Sequence, residues 1–222
     1  THFFFFSGNL ETNASWNDFW LNEGFTMYFE NRIMEKLYGR EYADMLDELG
    51  FNELQETVKE LGESNADTHL FLALKDRDPD DGMNDIAYIK GQFFLKTIES
   101  IVGREKMDVF VKKYFTEHAF QSMTTEKFIK YFNENLIKGD QALADKIQFE
   151  KWIYGPGIPD NSFRVKSVLL EKAAAQAKEF IAPYAFNGYT DSIRFNQWLE
   201  QCLLPALGMG WTIILDNASF HK

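Results

Sequence analysis

From Asn22 to Tyr38, apolar side chains fall at Phe25, Phe29, Ile33 and Leu37, one every four residues. Side chains four apart lie over one another on a helix, so this spacing predicts an amphipathic helix with a single apolar stripe. The rhythm returns down the chain. Glu41 to Leu61 reads as a helix with Met45, Leu46, Leu49 and Leu54 turned to a core and Gly50 as a candidate break. Gln92 to Val102 carries Phe93, Phe94, Leu95, Ile98 and Ile101, and Lys106 to Phe115 carries Met107, Phe110, Val111 and Tyr114. Thr124 or Thr125 can cap a helix bearing Phe128, Ile129, Phe132 and Leu136. Gln141 to Ile153 reads as one further helix, and Ser162 opens another to about Ile181. The fold class this predicts is mainly α over residues 20–181. Aromatic residues are 16% of the chain, 22 of them phenylalanine, and stripes at helical spacing assign them to core rather than to a cofactor box.

The 222 residues suffice for one large or two small domains. A net charge of −11 argues against a protein whose main task is gripping phosphate backbones. A single cysteine, Cys202, allows no internal disulfide framework and fits a reducing cytoplasm, which is the expected location. No apolar run approaches the roughly 18 residues of a membrane span. Phe3 to Phe6 is too short, and lacks the basic flank, for a signal peptide. The chain starts at Thr1 rather than methionine, as a segment from inside a longer reading frame would. Residues 1–6, Thr-His-Phe-Phe-Phe-Phe, match neither helical nor strand periodicity. They read as a buried apolar start or as a disrupted coding junction upstream of Ser7, the reading preferred here.

The run that carries chemistry is Ser7-Gly8-Asn9-Leu10-Glu11-Thr12-Asn13, followed by Asn22-Glu23-Gly24-Phe25-Thr26. It resembles the zinc aminopeptidases of the leukotriene-A hydrolase type, over about residues 7–181. There an H-E-x-x-H helix leads into S-W-S-G-N-L-V-T-N, and an N-E-G-F-T helix supplies the third zinc ligand. The resemblance makes Glu23 that metal ligand; taken alone, it reads as an acid favoured in a helix's first turn. The family spacing puts the second histidine where Phe4 stands and the general-base glutamate where Thr1 stands. His2 lies two positions before Phe4 and would point elsewhere on a helix. A catalytic zinc takes three protein ligands and a water, so zinc, the parent family's cofactor, is not expected to be retained by this chain.

Asp76 to Asp85 is rich in turn residues and reads alone as a solvated loop; its aspartates do not match a calcium-loop pattern. The family has Asp-Pro-Asp, seven residues, then Tyr-x-Lys-Gly. Here these are Asp78-Pro79-Asp80 and Tyr88-Ile89-Lys90-Gly91. The resemblance makes Tyr88 the catalytic tyrosine, hydrogen-bonding the oxyanion of the tetrahedral intermediate, and Asp80 an acid lining the pocket. Read alone, Tyr88 is a half-buried core residue. Met83 stands where some members carry a second tyrosine. Trp152-Ile153-Tyr154-Gly155-Pro156-Gly157-Ile158-Pro159 resembles the phrase that ends the family's catalytic domain. The resemblance implies the helical part of a thermolysin-like metallopeptidase catalytic domain, a peptide substrate, and epoxide hydrolysis in the leukotriene-A branch.

At about Ala182 the character changes. Phe195-Asn196-Gln197-Trp198-Leu199 and Trp211-Thr212-Ile213-Ile214-Leu215-Asp216-Asn217 resemble a second family, the DDE transposases of mariner-like insertion sequences. Residues 182–222 would then be a short α/β tail, one helix and one strand, with Asp216 as one of three metal-binding acids. One acid of three cannot place two metals. The organisation expected is therefore an atypical junction (1–6), a partial aminopeptidase domain (7–181) and a transposase fragment (182–222). The leading expectation is an aminopeptidase fragment, inactive alone. The alternatives are a non-catalytic remnant of an interrupted gene and a DNA-binding protein derived from a transposase. Oligomeric state is not legible.

Overall fold

The computed structural model describes residues 8–178 and 192–206. It divides into two compact units after Val168. The first unit is mainly helical, as the stripes predict. Helix α1 (Trp20–Tyr38) is followed by α2 (Arg40–Leu61), with Gly39 at φ 91° between them, a left-handed conformation that side chains resist. A short α3 (Pro79–Gly82) and a π-helical turn (Ile86–Lys90) lead into α4 (Gly91–Val102). Then come α5 (Arg104–Glu117), α6 (Thr125–Phe132), α7 (Gln141–Ile147) and α8 (Phe149–Ile153). Two three-residue strands, β1 (Glu11–Asn13) and β2 (Gln121–Met123), pair in parallel with Glu11 opposite Gln121.

The core forms where the aromatic stripes meet. Trp20, at 0% exposure, packs edge-on against Phe128 at 5.6 Å, and Phe94 stacks on Trp152 at 5.4 Å. The Trp20 indole donates to the Thr125 hydroxyl, and Asp18 Oδ1 accepts from the Thr125 backbone N–H, so the start of α1 is tied to the start of α6. Helices α1 and α4 cross without side chains between them. A Cβ on Gly24 would lie 2.9 Å from the Gly91 Cα, and one on Gly91 would lie 2.8 Å from the Gly24 Cα.

Several expectations need correcting. The α1 stripe is buried at Phe25, half-buried at Phe29 and Ile33, which line an open cavity with Val111 and Phe115 of α5, and exposed at Leu37. Gly50 does not break α2. The buried face of α2 is Ala43, Asp47, Phe51, Leu54 and Val58, while Met45 and Leu46 are half-buried and Leu49 is 47% exposed. Asp47 can occupy a core position because Lys96 pairs with it. Thr124 is the cap of α6, accepting from the Lys127 N–H at 3.2 Å. Gln141 to Ile153 is two helices, not one, parted at Gln148, whose φ is 57°. Ser162 opens no helix. The Phe163 N–H is taken by the Thr97 hydroxyl and the Ser167 N–H by Glu48, which holds the backbone extended until α9 (Val168–Lys178).

The second unit's described residues include α10 (Ser192–Trp198), a π-helical turn (Leu199–Leu203) and α11 (Leu204–Ala206). The expected tail strand, Asp216 and residues 1–6 lie outside the described residues. No described helix is long and apolar enough to cross a membrane.

Glu11 is 1% exposed; its Oε1 accepts from the Tyr114 hydroxyl at 3.1 Å and its Oε2 has no hydrogen-bond partner among the described residues. Burial pushes its carboxyl up from 4.5 to about 7, partly offset by the Tyr114 hydrogen bond. The unfolded chain therefore takes up its charge before the folded one does. The Glu11 contribution is full below about pH 4.5 and is lost as pH rises through about 7, amounting to about 3 kcal/mol at most. We expect Glu11→Gln to flatten the fall in stability between these pH values, measured by urea unfolding at stepped pH.

Candidate active site

Each residue of Asn22-Glu23-Gly24-Phe25-Thr26 has a distinct physical task. Asn22 Oδ1 accepts from the Asn13 N–H at 3.0 Å, which fixes the start of α1 to β1. Glu23 stands in the first turn of α1, half-buried, and accepts no hydrogen bond from a described residue. Burial pushes its carboxyl above the usual carboxylate value. Gly24 permits the close crossing with α4, and Phe25 is fully buried. The Thr26 hydroxyl donates back to the Asn22 carbonyl at 2.9 Å.

Tyr88-Ile89-Lys90-Gly91 divides its tasks in the same way. Tyr88 sits in the π-helical turn, its ring 5.8 Å from Phe19 in an edge contact. Its phenol is pushed above its ordinary value by burial first, then by the charges of Glu23 and Asp85. Ile89 is buried. Lys90 is at 0% exposure and donates to the Thr68 carbonyl at 2.7 Å and the Gly155 carbonyl at 2.9 Å. Burial pushes its ammonium down to about 7. The Thr68 hydroxyl also accepts from the Gly157 N–H, so the π-helical turn is fastened to two loops. Gly91 is the other half of the crossing. Glu23 precedes Gly24 and Tyr88 lies one turn before Gly91, so the crossing brings carboxylate and phenol into mutual range.

Asp80 lies elsewhere. It is exposed on α3, where Asp78 caps its backbone N–H at 3.1 Å. The acid whose charge reaches Tyr88 from this region is Asp85. Sequence reasoning did not single it out, although a position three before Tyr88 shares its side of a helical turn. Among the described residues no three His, Cys, Asp or Glu side chains are grouped so as to hold a metal ion. Glu23 offers a single carboxylate, and Phe4, at the position of the expected histidine, has no lone pair. The donor set does not fit a catalytic zinc.

The assembly is a helical unit with a carboxylate and a tyrosine opposed across a glycine crossing, the helical part of a metallopeptidase catalytic domain. The Peptidase family M1 domain matches residues 2–152, and the chain belongs to that family. Over 157 residues it is 38% identical to leucine aminopeptidase 2 of Ajellomyces capsulatus, covering 69% of this chain and 25% of the relative. It is 36% identical over 177 residues to a leukotriene A-4 hydrolase homolog of Botryotinia fuckeliana, covering 78% of this chain and 27% of the relative. Native leukotriene A4 hydrolase from Saccharomyces cerevisiae superposes with a TM-score of 0.70 at 32% identity, covering 78% of this chain and 27% of that one. The chain thus spans about a quarter of the length of these relatives. The M1 family is zinc-dependent and acts on peptides.

The crossing is directly testable. Gly24→Ala places a methyl group 2.9 Å from the Gly91 Cα, so the helices must part. We expect a loss of about 1–3 kcal/mol in urea unfolding. Parting the helices should also wet Tyr88 and carry Glu23 away, so its phenol should titrate nearer its ordinary value, followed by ring NMR.

Proposed function

We propose that this chain carries the glutamate-and-tyrosine half of an M1 aminopeptidase active site, and that it binds peptide without cleaving it. The observation that carries this reading is the opposition of Glu23 and Tyr88 on crossing helices, within a donor set that does not fit zinc. Tyr88 is the group for an oxyanion or a peptide carbonyl: its raised phenol keeps its proton through neutral pH and can donate. Glu23 would be the remaining metal ligand of the parent site. Asp80, exposed as it stands, would contribute as a pocket acid only through substrate that reaches it. No zinc-borne step is expected of this chain, because Phe4 and Thr1 stand at the positions of the second histidine and the general base. A cytoplasmic setting goes with this reading, supported by the lone Cys202.

A second reading concerns the tail. Residues 182–222 would derive from a mariner-like transposase, with Asp216 a remnant acid, and the chain would be the product of an interrupted aminopeptidase gene. Its support is the sequence from Phe195 to Leu199 and from Trp211 to Asn217. DNA binding by this tail has the acidic balance of −11 against it. Sequencing the source locus across both termini decides the matter. Transposase codons continuing beyond Lys222 are expected, and aminopeptidase codons there would overturn this reading.

For the first reading, hydrolysis of aminoacyl-coumarin amides by the purified chain is expected to match a metal-free control with and without added zinc. Zinc-dependent release well above that control would overturn catalytic silence.

A further inference from the structure

Three acids are buried among the described residues, and the fold answers two of them. Asp47 pairs with Lys96. Asp18 accepts from the Ser15 hydroxyl and from the Thr125 backbone N–H, each at 2.7 Å. Glu11 is the exception. Tyr114 supplies one hydrogen bond, and Glu11 Oε2 has no hydrogen-bond partner among the described residues.

No lysine or arginine pairs with Glu11 among the described residues. From α5 comes the Tyr114 hydroxyl, with the His118 ring 5.0 Å from the Tyr114 ring. Helix α1 contributes Phe25, stacked on Tyr114 at 5.7 Å. Helix α6 contributes Phe128 and Tyr131, also against Tyr114. The Tyr131 hydroxyl donates to Glu117, an exposed acid that Lys113 meets at 3.8 Å. Strand β2 lays Gln121 opposite, exposed and uncharged. Burial raises the Glu11 carboxyl and the Tyr114 bond lowers it; no charged side chain of the described residues does either.

A carboxyl group so placed either keeps its proton or draws in water. Water has a short way in. The seam is three residues long on each strand, Gln121 and Ser122 are exposed, and Leu10 lines the open cavity between α1 and α5. The seam is also tied to the candidate site. The Ala14 N–H donates to the Met123 carbonyl at 2.7 Å, and the Asn13 N–H donates to Asn22 Oδ1, one residue before Glu23.

We propose that Glu11 is a protonation latch on this seam, closing β1 against β2 and α5 while it holds its proton and freeing β1 and the first turn of α1 when it gives the proton up. The direction follows from burial. The closed form holds the proton up to about pH 7, and the open form releases it near the ordinary 4.5. Closure is therefore fully favoured below about pH 4.5 and loses ground as pH rises to about 7. The latch does not depend on the peptide-binding reading, and its test uses no ligand.

Hydrogen exchange of the full chain, followed by NMR from about pH 5 to about pH 8, reads the opening of each amide once divided by its intrinsic rate. The reporters are the Asn13 and Ala14 amides at the seam, the Asn22 and Glu23 amides at the start of α1, and the Ile98 amide in α4. The opening constant of the first four is expected to rise roughly tenfold per pH unit up to about 7 and then level off. Urea below the unfolding range should leave it unchanged, because local opening exposes little surface. Ile98 reports global unfolding. Glu11→Gln should flatten the rise. His118→Gln, which removes the imidazole beside Tyr114, should leave it intact. Asn22→Ala, which cuts the tie to α1, should confine the rise to the seam. Thermal unfolding at about pH 5 establishes that each variant is folded.

Seam amides that open no faster at about pH 8 than at about pH 5 would overturn the latch. So would opening only together with Ile98, with the same urea dependence. A rise that persists in Glu11→Gln and vanishes in His118→Gln would overturn the role of Glu11. A rise at the seam that leaves Asn22 and Glu23 still would overturn the coupling to α1.

Discussion

Two helices meet here with nothing between their backbones. At Gly24 and Gly91 a single added carbon on either side would stand under 3 Å from the other chain. Contact this close sets the distance between α1 and α4, and everything on the two helices inherits it. Glu23 stands beside Gly24 and Tyr88 one turn before Gly91, which puts the phenol within reach of the carboxylate's charge. The rings of Trp20 and Phe94 meet at 5.7 Å for the same reason, one turn away on either side. The chemistry-bearing residues and the core are therefore not separate achievements of the fold. Both follow from one pair of missing side chains.

Around that crossing, buried polar groups act as fasteners. Lys90 answers two loop carbonyls, Asn22 answers β1, and Asp18 answers the start of α6. Each satisfies backbone groups that would otherwise be buried without partners, a cost of about 1–3 kcal/mol apiece. Most of the two motifs is thus occupied with holding the unit together. With or without a metal, the unit needs the glycines, the lysine and the asparagine. Their presence speaks for the fold, and Glu23 and Tyr88 alone speak for the chemistry.

The helical class was legible because the apolar spacing of Phe25, Phe93, Phe110 and Phe128 answers directly to burial. The family was legible because two short phrases carry it. What sequence reasoning missed depended on partners far along the chain. Asp47 looked polar and lies in the core because Lys96 meets it. Ser162 looked like a helix start, but Thr97 and Glu48 take the backbone donors that a helix would need. The two short strands have no periodicity to read, since three residues are too few to show alternation. Asp80, marked as a site acid by its place in a phrase, is exposed on α3. The acid at Tyr88 is Asp85, which no motif marks.

The parallel pairing of β1 with β2 has a kinetic consequence. β1 precedes α1 and β2 lies between α5 and α6, and the neighbouring Trp20–Thr125 contact spans 105 residues. Closing a loop of that length costs entropy that no local turn repays, and the α1–α4 crossing also joins segments far apart along the chain. The strand pair is three residues long on each side, a small seam beside the helices it joins. Since β1 leads through Asn13 to Asn22 and so to Glu23, loosening at this seam would also free the start of α1 on which the candidate site stands.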